Sequence, residues 1–224
     1  MDSLSKKLSL SSLFATVPPK IMDSLVQTAV KRSFSAQEVI AHQGDIWPYL
    51  FFLEWGEIAA IKESLEGRAF IATSIKPNDV FWGLAFFIED SPMPVMLQAR
   101  SEAVIYLWSR EYLVPIIQDH GEMSWNLCQH MISRMQLASE IVEDLAFHPV
   151  MRRLAGLLLD IFGDAEDEFK SRDLTLEEMA ARIGTTREIV CRYMYKFAEK
   201  GAIQINRTEL KINNRALLEK QAGR

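Results

Sequence analysis

Cysteine is scarce in this chain: Cys128 and Cys191 are the only two among 224 residues, and they lie far apart. Such a pair implies no disulfide framework, and it excludes an iron–sulfur cluster held by four thiolates. The four histidines, His42, His120, His130 and His148, are scattered, with no two at the spacing that puts metal ligands on one face of a helix or strand. No uninterrupted apolar run approaches the ~18 residues of a membrane span. The opening MDSLSKKLSLSSLF has neither the long apolar stretch nor the small-residue cleavage site of a secretory signal, so the expected location is cytoplasmic. A Walker loop, a dinucleotide fingerprint and a nucleophile elbow are all missing, and the chain is not expected to be an enzyme.

What is present is apolar material for real cores. Hydrophobic residues make up 49% of the chain and charged residues 25%, consistent with one large or two small domains. The most informative stretch runs from Leu174 to Tyr195, LTLEEMAARIGTTREIVCRYMY. Leu176, Met179, Ala180 and Ile183 share one face of a short helix, with Thr175 as N-cap and Glu178 three residues on in a capping-box arrangement. Gly184 can leave that helix with positive φ. Thr185 or Thr186 then caps a second helix, with Ile189, Val190, Tyr193 and Met194 inward and Arg187, Glu188, Cys191 and Arg192 outward. This pattern predicts a helix-turn-helix. Arg can bridge the two acceptors of guanine, and Glu can accept from the cytosine amino group.

An ordinary helical hairpin with solvated charges has the same periodicity, but two neighbouring features favour DNA. Lys200 to Ile205 and Leu210 to Ile212 alternate apolar and polar residues around the turn Asn206-Arg207-Thr208-Glu209, which predicts a β-hairpin and hence a winged helix. From Arg182 to the end there are ten Lys/Arg against four Asp/Glu, a net of +6 in a chain that is −5 overall. A local basic region on an acidic protein is the electrostatic footprint of a nucleic-acid contact.

Leu174 to Arg192, with Thr-Arg-Glu-Ile-Val-Cys-Arg heading the second helix and Gly201-Ala202-Ile203 after it, resembles the winged helix-turn-helix of the CRP/FNR superfamily of bacterial transcription regulators. The resemblance implies a homodimer on a palindromic double-stranded DNA site, with RNA polymerase as a further partner. It places Thr185, Thr186, Arg187, Glu188, Cys191 and Arg192 at the DNA, and having Arg187 and Glu188 together suggests a half-site closer to TGTGA than to TTGAT.

Between Phe34 and Trp108 short apolar runs recur between turn signals, the pattern of a β-sandwich or barrel. Gly44-Asp45, followed by Tyr49-Leu-Phe-Phe-Leu-Glu-Trp-Gly56-Glu57-Ile, is similar to the signature of cyclic-nucleotide-binding-type sensor domains. Lys76 to Gly83 resembles their next turn, with Asn78 where Gly is usual. The resemblance selects a jelly roll (double-stranded β-helix), with Gly44, Gly56 and Gly83 expected at corners that need unusual backbone angles. A cupin-type enzyme is the rival for such a roll, but it wants His-x-His on one strand, which is absent.

Gly121 to about Ala146 reads as one long helix. Leu127, Met131, Met135, Ala138, Val142 and Leu145 recur at steps of 4, 4, 3, 4 and 3, a near-heptad seam expected to form the dimer interface. Pro149 disfavours helix at His148, which marks a hinge. Three parts are expected in an α+β fold: residues 1–120 as the jelly-roll sensor, 121–146 as the dimerisation helix and 147–224 as the winged helix-turn-helix. The acidic run 163–168 reads as a solvated loop.

The superfamily's cyclic-nucleotide binders carry Gly-Glu after the strand that ends here at Trp82, and Arg-Ser before the next strand. Here Gly83 is followed by Leu84, and Met93 and Pro94 stand where Arg-Ser would lie. A cyclic nucleotide is therefore not expected as effector. The residues left there are Trp82, Leu84, Phe86, Phe87, Met93 and Met96, which would make either plain core or a pocket for an apolar or aromatic effector. Haem, used by one branch of the superfamily, stays open, with His120 and His130 as its candidate ligands. Cys191 is read as a small neutral DNA contact, since no second cysteine is at hand for a redox pair.

Overall fold

The computed structural model describes residues 3–163, 168–172 and 174–224. The acidic run read as a loop lies largely outside them. Two compact units are formed, one from Met1–Glu63 and Ala72–Ala138, the other from Ser64–Ile71 and Ser139–Arg224. The architecture is α+β, as expected.

The first unit opens with two helices, α1 (Ser3–Leu8) and α2 (Pro19–Thr28), and then eight strands. These are β1 (Val30–Phe34), β2 (Val39–Ala41), β3 (Tyr49–Trp55), β4 (Ile58–Glu63), β5 (Ala69–Ile75), β6 (Val80–Trp82), β7 (Met96–Ala99) and β8 (Ala103–Ser109). They pair as two four-stranded sheets, ordered β1-β8-β3-β6 and β2-β7-β4-β5, which together make the jelly roll. The edge strand β1, Val-Lys-Arg-Ser-Phe, is almost wholly exposed and carries no apolar alternation, so periodicity gives no sign of it.

Strand β3 shows why its sequence is a continuous apolar run rather than an alternation. Phe51 and Leu53 point between the sheets, against Ile58, Ala60, Leu97 and Ile105. Leu50 and Phe52 point the other way, into a second core closed by helices. A strand buried on both faces has no polar side to display. The helical cover includes Leu4, Leu8, Met22 and Leu25, together with Leu113 and Ile117 of α3 (Arg110–Asp119). Trp108 is central to it: the ring is 1% exposed, and its Nε1–H donates to the carbonyl of Leu25 at 2.9 Å.

The glycine corners divide into two kinds. Gly56 has φ +93, as expected, whereas Gly83 has an ordinary backbone and is required for space, because a Cβ there would run into the carbonyl oxygen of Trp47. Asn78 stands in the left-handed region at φ 72, which Asn tolerates better than most residues.

The long helix α4 spans Gly121–Phe147 and corrects the expected seam. Leu127 is 4% exposed and Met131 is half-buried, both packed with Met123 on the core of their own unit. The exposed series is instead Trp125, Cys128, Ile132, Met135, Ser139, Val142 and Ala146, spaced 3, 4, 3, 4, 3 and 4. Met135 and Val142 belong to both lists, and Ala138 and Leu145 are exposed beside them. The error arose because two apolar stripes run along one helix: Met123-Leu127-Met131 closes the roll, and the other faces outward.

The second unit contains α5 (Val150–Phe162), β9 (Lys170–Ser171), α6 (Leu176–Ile183), α7 (Arg187–Glu199), β10 (Ile203–Ile205), β11 (Glu209–Ile212) and α8 (Arg215–Ala222). Leu154, Leu158, Met179, Ile183, Val190, Met194, Phe197 and Leu210 meet in one core. Among the described residues no helix is long and apolar enough to cross a membrane.

Candidate nucleic-acid interface

Helix α6 begins with the capping box expected from its sequence. The Thr175 hydroxyl accepts from the Glu178 amide at 3.2 Å, and the Glu178 carboxylate accepts from the Thr175 amide at 2.7 Å. It ends at Gly184 with φ 62, whose left-handed turn redirects the chain into α7. Val190, Met194 and Phe197 bury one side of α7, while Ile189 and Tyr193 are half-buried. The packing leaves Arg187, Glu188 and Arg192 exposed and Cys191 half-exposed, with Thr186 as the N-cap and Thr185 half-buried beside it. All six expected contact residues thus lie at the turn or in the first two turns of α7.

Two of them are engaged within the free protein. Arg187 pairs through its Nε with the Glu177 carboxylate at 2.8 Å. The carboxyl of Glu188 accepts from its own backbone N–H and from the Thr186 hydroxyl, which holds it below the usual carboxylate range. Arg192 and Lys196 flank Tyr193, with their charges 5.6 and 5.5 Å from the ring centroid.

Beside α7, β10 and β11 form the wing hairpin, pairing Ile203 with Ile212 and Ile205 with Leu210. Strand β9 adds a third strand through Lys170 and Ser171. A cleft between α7 and this wing is lined by Arg172, Cys191, Tyr195, Asn206 and Arg207. Arg172 reaches it by donating to the Arg207 carbonyl at 3.1 Å. These two arginines enlarge the cationic surface beyond the residues singled out from sequence. A two-residue strand has no periodicity to betray it; only the basic character of the segment could have pointed there.

The six residues expected around an effector are not brought together. Strand β6 alternates, so Phe81 faces between the sheets while Trp82 faces the helix-covered side with Phe86 and Phe87. Met93 is buried in the inner core, Leu84 is 40% exposed, and Met96 lies on β7 between the apolar inward positions. The plain-core alternative therefore describes Phe86 and Met93. The cation that does reach the roll was missed: Arg134 of α4 donates to Thr73 Oγ1 at 3.0 Å, lies 3.9 Å from the Asp79 carboxylate and stands over the Phe81 ring at 5.9 Å. His130, one turn before it, has its Nε2 at 2.6 Å from Ser12 Oγ, and His120 holds its Nδ1 at 2.8 Å from the Ile116 carbonyl.

Comparison with known proteins agrees with this geometry. Residues 31–120 match the family model of the cyclic nucleotide-binding domain, and residues 152–221 match that of the Crp-like helix-turn-helix domain. The chain is 26% identical over 200 residues to the cAMP-activated global transcriptional regulator Vfr of Pseudomonas aeruginosa, covering 85% of this chain and 93% of Vfr. It is 25% identical over 220 residues to the CRP-like cAMP-activated global transcriptional regulator of Mycobacterium tuberculosis, covering 96% and 98%. A solved regulator of the Crp/Fnr family from Eubacterium rectale superposes with a TM-score of 0.81 at 17% identity, covering 95% of this chain and 98% of its own. With a cyclic-nucleotide-type β-roll and a Crp-like helix-turn-helix both matched in one chain, the protein belongs to the CRP/FNR superfamily of bacterial transcription regulators.

Proposed function

We propose that this regulator is a non-enzymatic homodimer that reads a palindromic DNA site through Thr185, Thr186, Arg187, Glu188, Cys191 and Arg192, under the control of an effector other than a cyclic nucleotide. The observation that carries the DNA reading is the exposed pair Arg187 and Arg192 on the first turns of α7, with the apolar side of that helix buried beneath them. Arg192 meets a guanine edge, and Arg172 and Arg207 in the adjoining cleft meet phosphates. The dimer forms along Trp125, Cys128, Ile132, Met135, Ser139, Val142 and Ala146, whose strict 3/4 spacing is that of a coiled-coil seam. A two-fold axis there would set two recognition helices about 34 Å apart, on successive major grooves. The three-part plan of sensor, dimerisation helix and DNA-binding domain, a cytoplasmic location and contact with RNA polymerase all belong to this reading.

The effector reading rests on this chain's own side chains. The relatives above are cAMP-activated, but the resemblance to the superfamily's cyclic-nucleotide binders puts Leu84 where their ribose-binding glutamate lies, and the buried Met93 with Pro94 about where their Arg-Ser lies. The test of the DNA reading contrasts two arginines on duplexes selected from a randomised pool. Arg192→Ala should weaken the selected site by ~1–3 kcal/mol and relax one base position, whereas Arg207→Ala should weaken all sequences alike and lower the salt slope by about 1. Uniform loss with Arg192→Ala would make it a phosphate contact and sink the assignment.

A further inference from the structure

Arg187 stands at the start of α7 and Glu177 in the first turn of α6, on the two helices of the motif. Their contact has a particular form. The Glu177 carboxylate pairs with the guanidinium at its inner edge, 2.8 Å from Nε of Arg187. A guanidinium has five N–H donors in a fixed plane, and a carboxylate set against the Nε edge leaves the two terminal nitrogens as a fork for a base. That fork is what matches O6 and N7 of guanine.

We propose that Glu177 is a specificity-setting residue, a carboxylate that fixes the Arg187 fork for one guanine in each half-site. The proposal rests on the reading above that Arg187 meets a base. Three observations support the positioning role. Glu177 lies within the turn fixed by the Thr175–Glu178 capping box, so its carboxylate projects from a rigid base. Both side chains are more than half exposed, at 59% and 64%, a setting in which an ion pair adds little to folding stability. An arginine on a flexible stem otherwise loses rotamer freedom on binding, and a partner that fixes it beforehand removes part of that loss.

The rival role is that of an obstacle. A carboxylate on a DNA-facing surface repels phosphates and neutralises the arginine it holds. The two roles predict opposite signs on a cognate site. If Glu177 positions Arg187, Glu177→Ala weakens the cognate duplex while tightening binding to random sequence, because only the repulsion has been lost there. If Glu177 is an obstacle, both tighten together.

The experiment uses full-length wild type, Glu177→Ala, Glu177→Gln and Arg187→Ala, all checked for equal thermal melting. Each is put through selection from a randomised duplex pool, followed by anisotropy titration on the wild-type consensus and on a scrambled duplex. Glu177→Ala should lose about two- to fivefold on the consensus, the scale of one exposed ion pair, and relax the same single guanine that Arg187→Ala relaxes. Glu177→Gln, which keeps a polar oxygen beside Nε without the charge, should fall between wild type and Glu177→Ala. On the scrambled duplex both Glu177 variants should bind more tightly than wild type. Selected sites unchanged by Glu177→Ala, or consensus and scrambled duplexes tightened equally, would overturn the positioning role. A uniform loss at every position in Arg187→Ala would instead remove the base reading itself, and the two failures are distinguishable.

Discussion

Arg153 donates from its Nε to the carbonyl oxygen of Ile183 at 2.9 Å, and from Nη1 to the carbonyl of His148 at 2.6 Å. A third bond reaches the Asp144 carbonyl at 3.2 Å. One guanidinium of α5 thus serves the His148 and Ile183 carbonyls at the ends of α4 and α6 and shares the Asp144 carbonyl with the His148 amide, where a cation is also favoured by the helix dipoles. Arg153→Met keeps the stem and removes every donor. It should cost about 2 kcal/mol in urea unfolding, because orphaned, partly buried carbonyls lose more than the average hydrogen bond is worth. Stability unchanged within ~0.5 kcal/mol, the range of ordinary surface substitutions, would show that water replaces the guanidinium fully.

The two apolar stripes of α4 make opposite predictions for the same kind of substitution. Ile132 is 55% exposed, so Ile132→Asp should leave the fold of the subunit intact and shift the protein to monomer in sedimentation. Leu127 is buried within its own unit, so Leu127→Asp should destabilise the subunit itself, by ~3 kcal/mol or more. DNA affinity should collapse in the first case with circular dichroism unchanged, since one half-site contact is weak. An intact dimer in Ile132→Asp would place the seam elsewhere.

His130 offers a dependence on pH. Burial is the main reason its imidazole titrates below the usual histidine range, with the nearby Arg134 adding to it and Asp79 opposing it. The neutral ring is the form next to Ser12 in the folded state. A base whose folded pKa lies below its unfolded value adds stability that is fully present above about pH 6.5 and is lost as pH falls below it. Urea midpoints for wild type should therefore fall more between pH 7.5 and 5.5 than those for His130→Gln. Equal falls in the two proteins would assign the acid sensitivity to carboxylates instead.

Legibility in the sequence followed the number of roles each residue plays. The wing hairpin, the capping box and the turn at Gly184 are local chemistry, and Thr175, Glu178 and Gly184 occupy the positions their sequence implies. Along α4, Leu127 and Met131 serve the subunit core while Met135, Ala138, Val142 and Leu145 are exposed, and periodicity alone cannot say which of two stripes meets solvent. The six apolar residues around Trp82 divide for a related reason: Trp82, Phe86 and Phe87 pack with the helix-covered core while Met93 belongs to the core between the sheets, a division that neighbouring positions in sequence conceal. Arg134, Arg172 and Glu177 could not be foreseen, since each acts through a partner distant in sequence or on another element.

The last prediction concerns what the roll does not bind. A cyclic nucleotide brings a phosphate anion and a ribose hydroxyl, and the superfamily's binders meet them with an arginine and a glutamate. Leu84 and Met93 stand at those positions here, the first 40% exposed and the second buried at 2% among apolar side chains. Two nearby cations are already engaged: Arg134 with Thr73, the Asp79 carboxylate and the face of Phe81, and Arg110 with the Ala85 carbonyl at 3.2 Å. Turning either to a phosphate would forfeit those contacts, and Leu84 would still leave the ribose hydroxyl without an acceptor. Each missing charge-assisted hydrogen bond forfeits ~1.5–3 kcal/mol, so two of them weaken a micromolar site about a hundredfold or more. Calorimetry with cyclic AMP or cyclic GMP at tens of micromolar should therefore show no binding, and neither nucleotide should change DNA affinity. Micromolar binding that disappears in Arg134→Gln would show that this guanidinium leaves Asp79 for the phosphate, and would overturn the proposal of a different effector.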